Sequence, residues 1–299
     1  MSITLAKLAT EFLERSGLSP HTQKSYEYAL LPFLNQYGHN SINTITRQCV
    51  SAYLDNLEHL SYTTHQRHQV IITALFNFAI SGGYLSANPV AKLPKRKPNK
   101  ERGESNTDQI IRYLTPEQFD QIYQLVESDV RLHAIVILLH RTGARIGELL
   151  ALDLDDIDLQ GQKFQVVGKG NKRRWCFYSK DAALILEKYI KYYRHKEVSA
   201  LFTAQHPLTK QVTRLSYRRV HTLWQELIDT DPLLKGIRLH DIRHSYATER
   251  VGLMSIEELR ALMGHSNIQT TLRYQKVTSL KAEETAKKAL NILVKNEEK

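Results

Sequence analysis

The residues best suited to chemistry lie in the second half of the chain. They are Arg145 in TGARIGEL, Lys169 in GKGNKRR, His240 and Arg243 in LHDIRHSYAT, His265 in MGHSN, and Tyr274 in TLRYQ, nine residues after His265. Arginine, lysine and histidine donate hydrogen bonds that suit phosphate oxygens. A tyrosine hydroxyl is a nucleophile that can form an ester with phosphorus. No carboxylate pair or cysteine cluster accompanies them to hold a metal. The set points to metal-free phosphoryl transfer through a tyrosine, with no cofactor expected.

Taken singly, each residue has an ordinary explanation. Arg145 can pair with Glu148 across one helical turn. GKGNKRR lacks the pattern of a nucleotide-binding loop, so Lys169 reads as a cation at the tip of a turn. His240 and Arg243 are three apart and share a helix face, whereas His244 points elsewhere, which fits a structural or supporting role. Tyr274 is one of 15 tyrosines. The order Arg, Lys, His-x-x-Arg, His, Tyr within about 130 residues is what separates the set from coincidence.

The elements that must position these groups are mostly helical. Leu5, Leu8, Ala9, Phe12 and Leu13 keep helical spacing, and Ser19-Pro20 caps a second helix running towards Tyr37. Thr46 caps a third helix expected through Leu60, and a fourth runs from about Thr64 to Ile80 and stops at Gly82-Gly83. A helical N-terminal domain is therefore expected over 1–91. The segment KLPKRKPNKER, with two prolines and little to bury, reads as a semi-stiff basic linker over 92–112. Its Lys95, Arg96 and Lys97 are candidate contacts to a phosphate backbone.

A larger domain is expected over 113–299. Thr115-Pro116-Glu117-Gln118 is a capping box, and helices follow at roughly 116–127, 131–142 and 145–151. Short alternating runs around Phe164, Val166, Trp175 and Phe177 flank Gly168–Asn171, which reads as a hairpin. Helices return at about 181–194, 216–229, 240–250 and 255–263. The fold class is mainly α (α+β), with one small antiparallel sheet. A net charge of +10 favours a polyanionic partner. Two separate cysteines, Cys49 and Cys176, argue for a reducing compartment, and no membrane-length apolar stretch occurs. A cytoplasmic protein without membrane partners is expected.

In motif identity, order and approximate spacing the chain resembles the tyrosine recombinases, and the resemblance covers almost its whole length. It implies an N-terminal four-helix core-binding domain joined to a catalytic domain, clamping double-stranded DNA at an inverted-repeat site. It also implies a tetrameric synapse, either of one chain or with a related recombinase. By resemblance, Arg145 and Arg243 clamp the phosphate, Lys169 is the hairpin lysine, His240 and His265 are the two histidines, and Tyr274 is the nucleophile. Only about a thousandth of an ordinary tyrosine is ionised at neutral pH. A base is therefore needed, for which His240 is the candidate, or else a strongly cationic pocket. Arg145, Arg243 and His265 would stabilise the transition state, and Lys169 would protonate the departing 5′-oxygen. The product, a 3′-phosphotyrosine, rejoins to a new 5′-hydroxyl.

Within that family the length is similar to the Xer chromosome-dimer resolvases. Ala144, Gly147 and the lack of a histidine after Ala247-Thr248 depart from them, and HDIRHSYAT with GHSNIQTTLRYQ looks closer to integrases of mobile elements. Integration or excision of a mobile element is thus the expected activity, with dimer resolution the alternative. A relaxase like the type IB topoisomerases and a catalytically inactive DNA-binding protein are two further readings. The tail stripe Ala286, Ala289, Leu290 and Leu293 bears on the relaxase reading, because recombinases pass such a helix to a neighbouring subunit; docking in cis on its own chain is the alternative.

Overall fold

The structure, a computed structural model, describes residues 3–104, 111–168, 170–277 and 287. Lys169 and the tail stripe Ala286, Ala289, Leu290 and Leu293 lie outside the described residues. The chain divides into two compact units, Met1–Gln109 and Ile110–Lys299.

The first unit is built from α1 (Leu5–Glu14), α2 (Pro20–Tyr37), α3 (Arg47–Asp55) and α4 (Tyr62–Ser81). Thr4, Ser19, Thr46 and Ser61 each cap the helix that follows by accepting a backbone N–H. The apolar stripes close on one core around Leu8, Phe12, Leu30, Phe33, Ile72 and Phe76. Helix α3 stops five residues short of the expected Leu60. Beyond it the backbone bonds tighten to three-residue spacing at Leu57, Glu58 and Leu60.

The basic segment after Lys92 packs on this same unit through Glu104. Gln69 donates to the carbonyls of Leu93 and Pro94, and Arg47 to that of Lys92. Glu104 accepts from the backbone N–H groups of Tyr62 and Asn99 and pairs with Arg96 at 2.6 Å.

The second unit contains α5 (Pro116–Val126), α6 (Val130–Thr142), α7 (Ile146–Ala151), β1 (Ile157–Asp158), β2 (Lys163–Val167), β3 (Arg173–Phe177) and α8 (Lys180–Tyr192). It continues with β4 (Thr203–Gln205), β5 (Val212–Arg214), α9 (Tyr217–Ile228), α10 (Leu239–Arg250), α11 (Ile256–Met263) and α12 (Ile268–Leu272). Strands β1, β2 and β3 form an antiparallel sheet in that order, pairing Phe164 with Cys176 and Val166 with Arg174. A second, separate antiparallel sheet, β4–β5, is present beyond the one expected from sequence. Its strands are three residues each, too short for a period-two pattern to register. The core gathers Ile135, Leu138, Leu149, Phe164, Leu186, Trp224 and Ile242. No helix among the described residues is long and apolar enough to cross a membrane.

Candidate active site

Helix α10 packs on α6 and brings its buried face to the centre of the site. Asp241 starts it, accepting from the Arg238 backbone N–H at 2.9 Å and pairing with the Arg238 guanidinium. Two residues on, Arg243 is only 2% exposed. A guanidinium at that depth must be hydrogen-bonded. Arg243 donates through Nη1 to the Gly143 carbonyl, and through Nη2 to the Met263 carbonyl at 2.6 Å and to His265 Nε2 at 3.1 Å. Burial, with Arg145 nearby, lowers its pKa to about 10, so it remains a cation at neutral pH.

Gly143 makes this possible. It ends α6 in the left-handed conformation, φ 61°, and a Cβ there would sit 2.3 Å from the Tyr246 ring. Only glycine turns the chain here and lets its carbonyl meet Arg243. Two residues later Arg145 stands at the start of α7. Glu148 caps that helix by accepting from the Arg145 backbone N–H at 2.8 Å, and also binds the Arg145 side chain at 2.8 Å.

The same carboxylate receives a second guanidinium. Arg174 binds it with both Nη atoms, at 2.9 and 2.6 Å, and its Nε donates to the Leu262 carbonyl at 2.9 Å. Because Val166 and Arg174 pair across β2–β3, Arg174 and Cys176 face inward while Trp175 and Phe177 are exposed. Burial would raise the Glu148 pKa, but hydrogen bonds from Arg174 and Arg145 prevail and hold it near about 2. Glu148 thus ties together the expected clamp residue, the hairpin and the approach to His265.

His265 follows Gly264, which ends α11 in the left-handed region at φ 64°. Its ring is buried, with Nδ1 2.9 Å from Thr271 Oγ1. Burial first, then the charges of Arg243 and Arg145, lower its pKa to about 3, leaving a neutral ring. Since Arg243 can only donate, Nε2 accepts and Nδ1 carries the proton.

Tyr274 lies in the 3-10 turn Arg273–Val277 that follows α12 and is 3% exposed, packed with Tyr246, Leu259 and Met263. Its ring is parallel to that of His265, with centroids 6.3 Å apart. Burial raises its pKa, opposed by Arg243 and Arg273. The hydroxyl is hydrogen-bonded at 2.8 Å to Nδ1 of His244, the residue after Arg243. His240 packs edge-on against His244, with ring centroids 4.5 Å apart. One side of the His240 ring is open to solvent, but the protein packed around the rest, with Arg243, lowers its pKa.

Arg145, His240, Arg243, His265 and Tyr274 therefore belong to one cluster. Beside it lies a depression of about 290 Å³ lined by Arg145, Lys172, Arg174, Arg260, His265 and Thr270. Such a concave, cation-rich surface, which shares Arg145 and His265 with the cluster, suits a phosphodiester. On the first unit, Lys95 and Lys97 are exposed, whereas the Arg96 side chain is 13% exposed and taken up by Glu104 and the Leu60 carbonyl. Arg174 and Thr271 are not singled out within the motifs that contain them, and His244, read from sequence as structural or supporting, meets Tyr274 directly. Alternation along β3 was the one signal able to turn Arg174 inward. Among the described residues, no group of three or more His, Cys, Asp or Glu could hold a metal ion.

Comparison with known proteins supplies an independent view. A model of the phage integrase family matches residues 112–280, and a model of the phage integrase N-terminal SAM-like domain matches residues 9–83. The chain is 30% identical over 270 residues to tyrosine recombinase XerC of Vibrio cholerae serotype O1, covering 86% of this chain and 83% of that protein. It is 28% identical to XerC of Shewanella amazonensis, covering 94% and 90%. Among solved structures, the Tn1549 transposon integrase in complex with circular intermediate DNA superposes with TM-score 0.71 at 20% identity, covering 91% of this chain and 95% of that one. A lambda integrase tetramer bound to a Holliday junction gives TM-score 0.68 at 18% identity, covering 91% and 77%.

Proposed function

We propose a reaction for this chain, which belongs to the phage integrase family of tyrosine recombinases: it cuts and rejoins double-stranded DNA at a specific site through a 3′-phosphotyrosine at Tyr274. The observation that carries the assignment is the gathering of Arg243, Arg145 and His265 around a buried tyrosine hydroxyl.

In the cleavage step Tyr274 Oη attacks the scissile phosphorus while the bond to the 5′-oxygen breaks. Arg145 and Arg243 bind the non-bridging oxygens, Arg145 with its planar fork and Arg243 with the N–H groups that Gly143, Met263 and His265 leave free. Because Arg243 is fixed in advance by Gly143, Met263 and His265, little reorganisation is needed as charge builds on the phosphorane. Lys169 protonates the departing 5′-oxygen. The phosphotyrosine conserves the energy of the diester, so attack by another 5′-hydroxyl reseals the strand without an external energy source.

The DNA partner is an inverted-repeat site bound by four protomers, and exposed Lys95 and Lys97 add phosphate contacts from the first unit. Integration or excision of a mobile element is the natural task, favoured by the Ala144 and Gly147 departures in TGARIGEL. Dimer resolution is the second reading, favoured by XerC relatives that match over most of the chain.

The test begins with duplexes recovered by covalent capture from a randomised nicked library. On these, Tyr274→Phe should abolish the covalent adduct and retain binding. An adduct formed by the Phe variant would assign the nucleophile to another residue.

A further inference from the structure

We infer that His244, rather than His240, is the base that takes the phenolic proton of Tyr274 during cleavage. The inference rests on Tyr274 being the nucleophile, as proposed above, and names a different base from His240, the candidate that the family resemblance offered.

Geometry is the first support. Tyr274 Oη and His244 Nδ1 are 2.8 Å apart, the separation of a formed hydrogen bond along which a proton can move. The contact spans thirty positions of sequence, so it comes from how the turn Arg273–Val277 lies against α10 and not from local chain geometry. Both partners are sheltered: Tyr274 is buried and His244 half-buried, leaving the hydroxyl's proton a protein acceptor in place of bulk water.

The state of the ring is the second. Burial first, then the adjacent His240, lower the His244 pKa to about 4. At neutral pH the ring is uncharged, and in its Nε2–H tautomer the Nδ1 lone pair accepts from the Tyr274 hydroxyl. A histidine already protonated could only donate to Tyr274, which would hold the hydroxyl without activating it.

The timing of the transfer follows. Burial raises the Tyr274 pKa while His244 is a weak base, so the phenol does not ionise beforehand. As Oη bonds to phosphorus its proton becomes strongly acidic, and it passes to Nδ1 in the same step. The Oη–H and P–O5′ bonds break, the Oη–P and Nδ1–H bonds form, and the 5′-oxygen takes its proton from the general acid. The incoming phosphate also brings negative charge beside His244, which favours the imidazolium so formed. When a 5′-hydroxyl later attacks the phosphotyrosine, the imidazolium returns its proton to the leaving Tyr274 oxygen. His240, edge-on to His244, faces it from one helical turn away.

The experiment uses the full chain and a nicked duplex recovered by covalent capture. His244→Asn keeps a side-chain acceptor but cannot take up a proton. It should slow single-turnover cleavage about 100- to 10,000-fold, the range of a lost general base, with duplex affinity unchanged. Replacing Tyr274 with the far more acidic 3,5-difluorotyrosine should recover at least about tenfold of that loss. It should give no such recovery in His240→Asn, and a 5′-bridging phosphorothiolate should not rescue His244→Asn. His244→Gln removes the same base with a longer amide and carries the same expectation if the Asn variant folds poorly. Cleavage by the amide variants within threefold of the parent, or fluorotyrosine rescue confined to His240→Asn, would overturn the inference. An adduct from Tyr274→Phe sinks the parent reading and this one with it. Loss of that adduct alongside unimpaired His244→Asn sinks this one alone.

Discussion

Replacing Glu148 with glutamine probes the framework on which the proposed phosphate clamp is built. The carboxylate is 8% exposed and meets Arg174, itself 10% exposed, through two hydrogen bonds, while Arg145 approaches from a more open side. Its pKa of about 2, against an ordinary 4.5, corresponds to about 3 kcal/mol favouring the charged, paired form in the folded state. Glutamine has nearly the same shape but leaves the Arg174 charge buried and uncompensated, which costs about 2–4 kcal/mol. For the unit Ile110–Lys299 that is a fall in Tm of about 5–15 °C. The pH dependence has a definite sign. A carboxyl whose folded pKa is depressed contributes its full stability above about 4.5, and loses it as pH falls towards about 2. Thermal melts of both proteins should differ most at pH 7, by about half as much at pH 3, and converge below that. Single-turnover cleavage should also slow by about tenfold or more, because Arg145 loses the contact that holds it. Equal melting temperatures at pH 7, or a gap that does not narrow on acidification, would refute the view that Glu148 is a charged strut.

Two further outcomes contrast packed positions with exposed ones. Gly143→Ala places a methyl against the Tyr246 ring in a left-handed backbone, so it should destabilise the second unit by about 2–5 kcal/mol in denaturant melts, and should slow cleavage by displacing the Arg243 acceptor. Neutralising Lys95 and Lys97 should flatten the slope of log K for DNA against log salt by about one to two with no change in Tm, whereas Arg96→Ala should lower the Tm of the first unit, since Arg96 pairs with Glu104.

The sequence by itself determined the kinds of residue available for chemistry and most of the helices that carry them. Capping residues and apolar periodicity are local signals, and Ser19, Thr46 and Thr115 mark helix starts because each accepts a backbone N–H three residues on. The order Arg145, His240, Arg243, His265, Tyr274 was equally legible, and the fold brings these side chains into one cluster. A charge run, by contrast, does not tell which cation is paired. Lys95 and Lys97 face solvent while Arg96 between them is buried against Glu104.

What only the tertiary structure decided is which neighbours the site residues meet. Arg243 and His244 are adjacent in the chain, yet on a helix they point about 100° apart, and a pattern of spacing cannot say which direction a later turn will occupy. The lie of Arg273–Val277 against α10 puts Tyr274 Oη on His244. Pairing of Val166 with Arg174 turns that arginine inward to Glu148, although Trp175 and Phe177 of its strand face out. These contacts join segments far apart in sequence, and their existence depends on packing that no local pattern encodes.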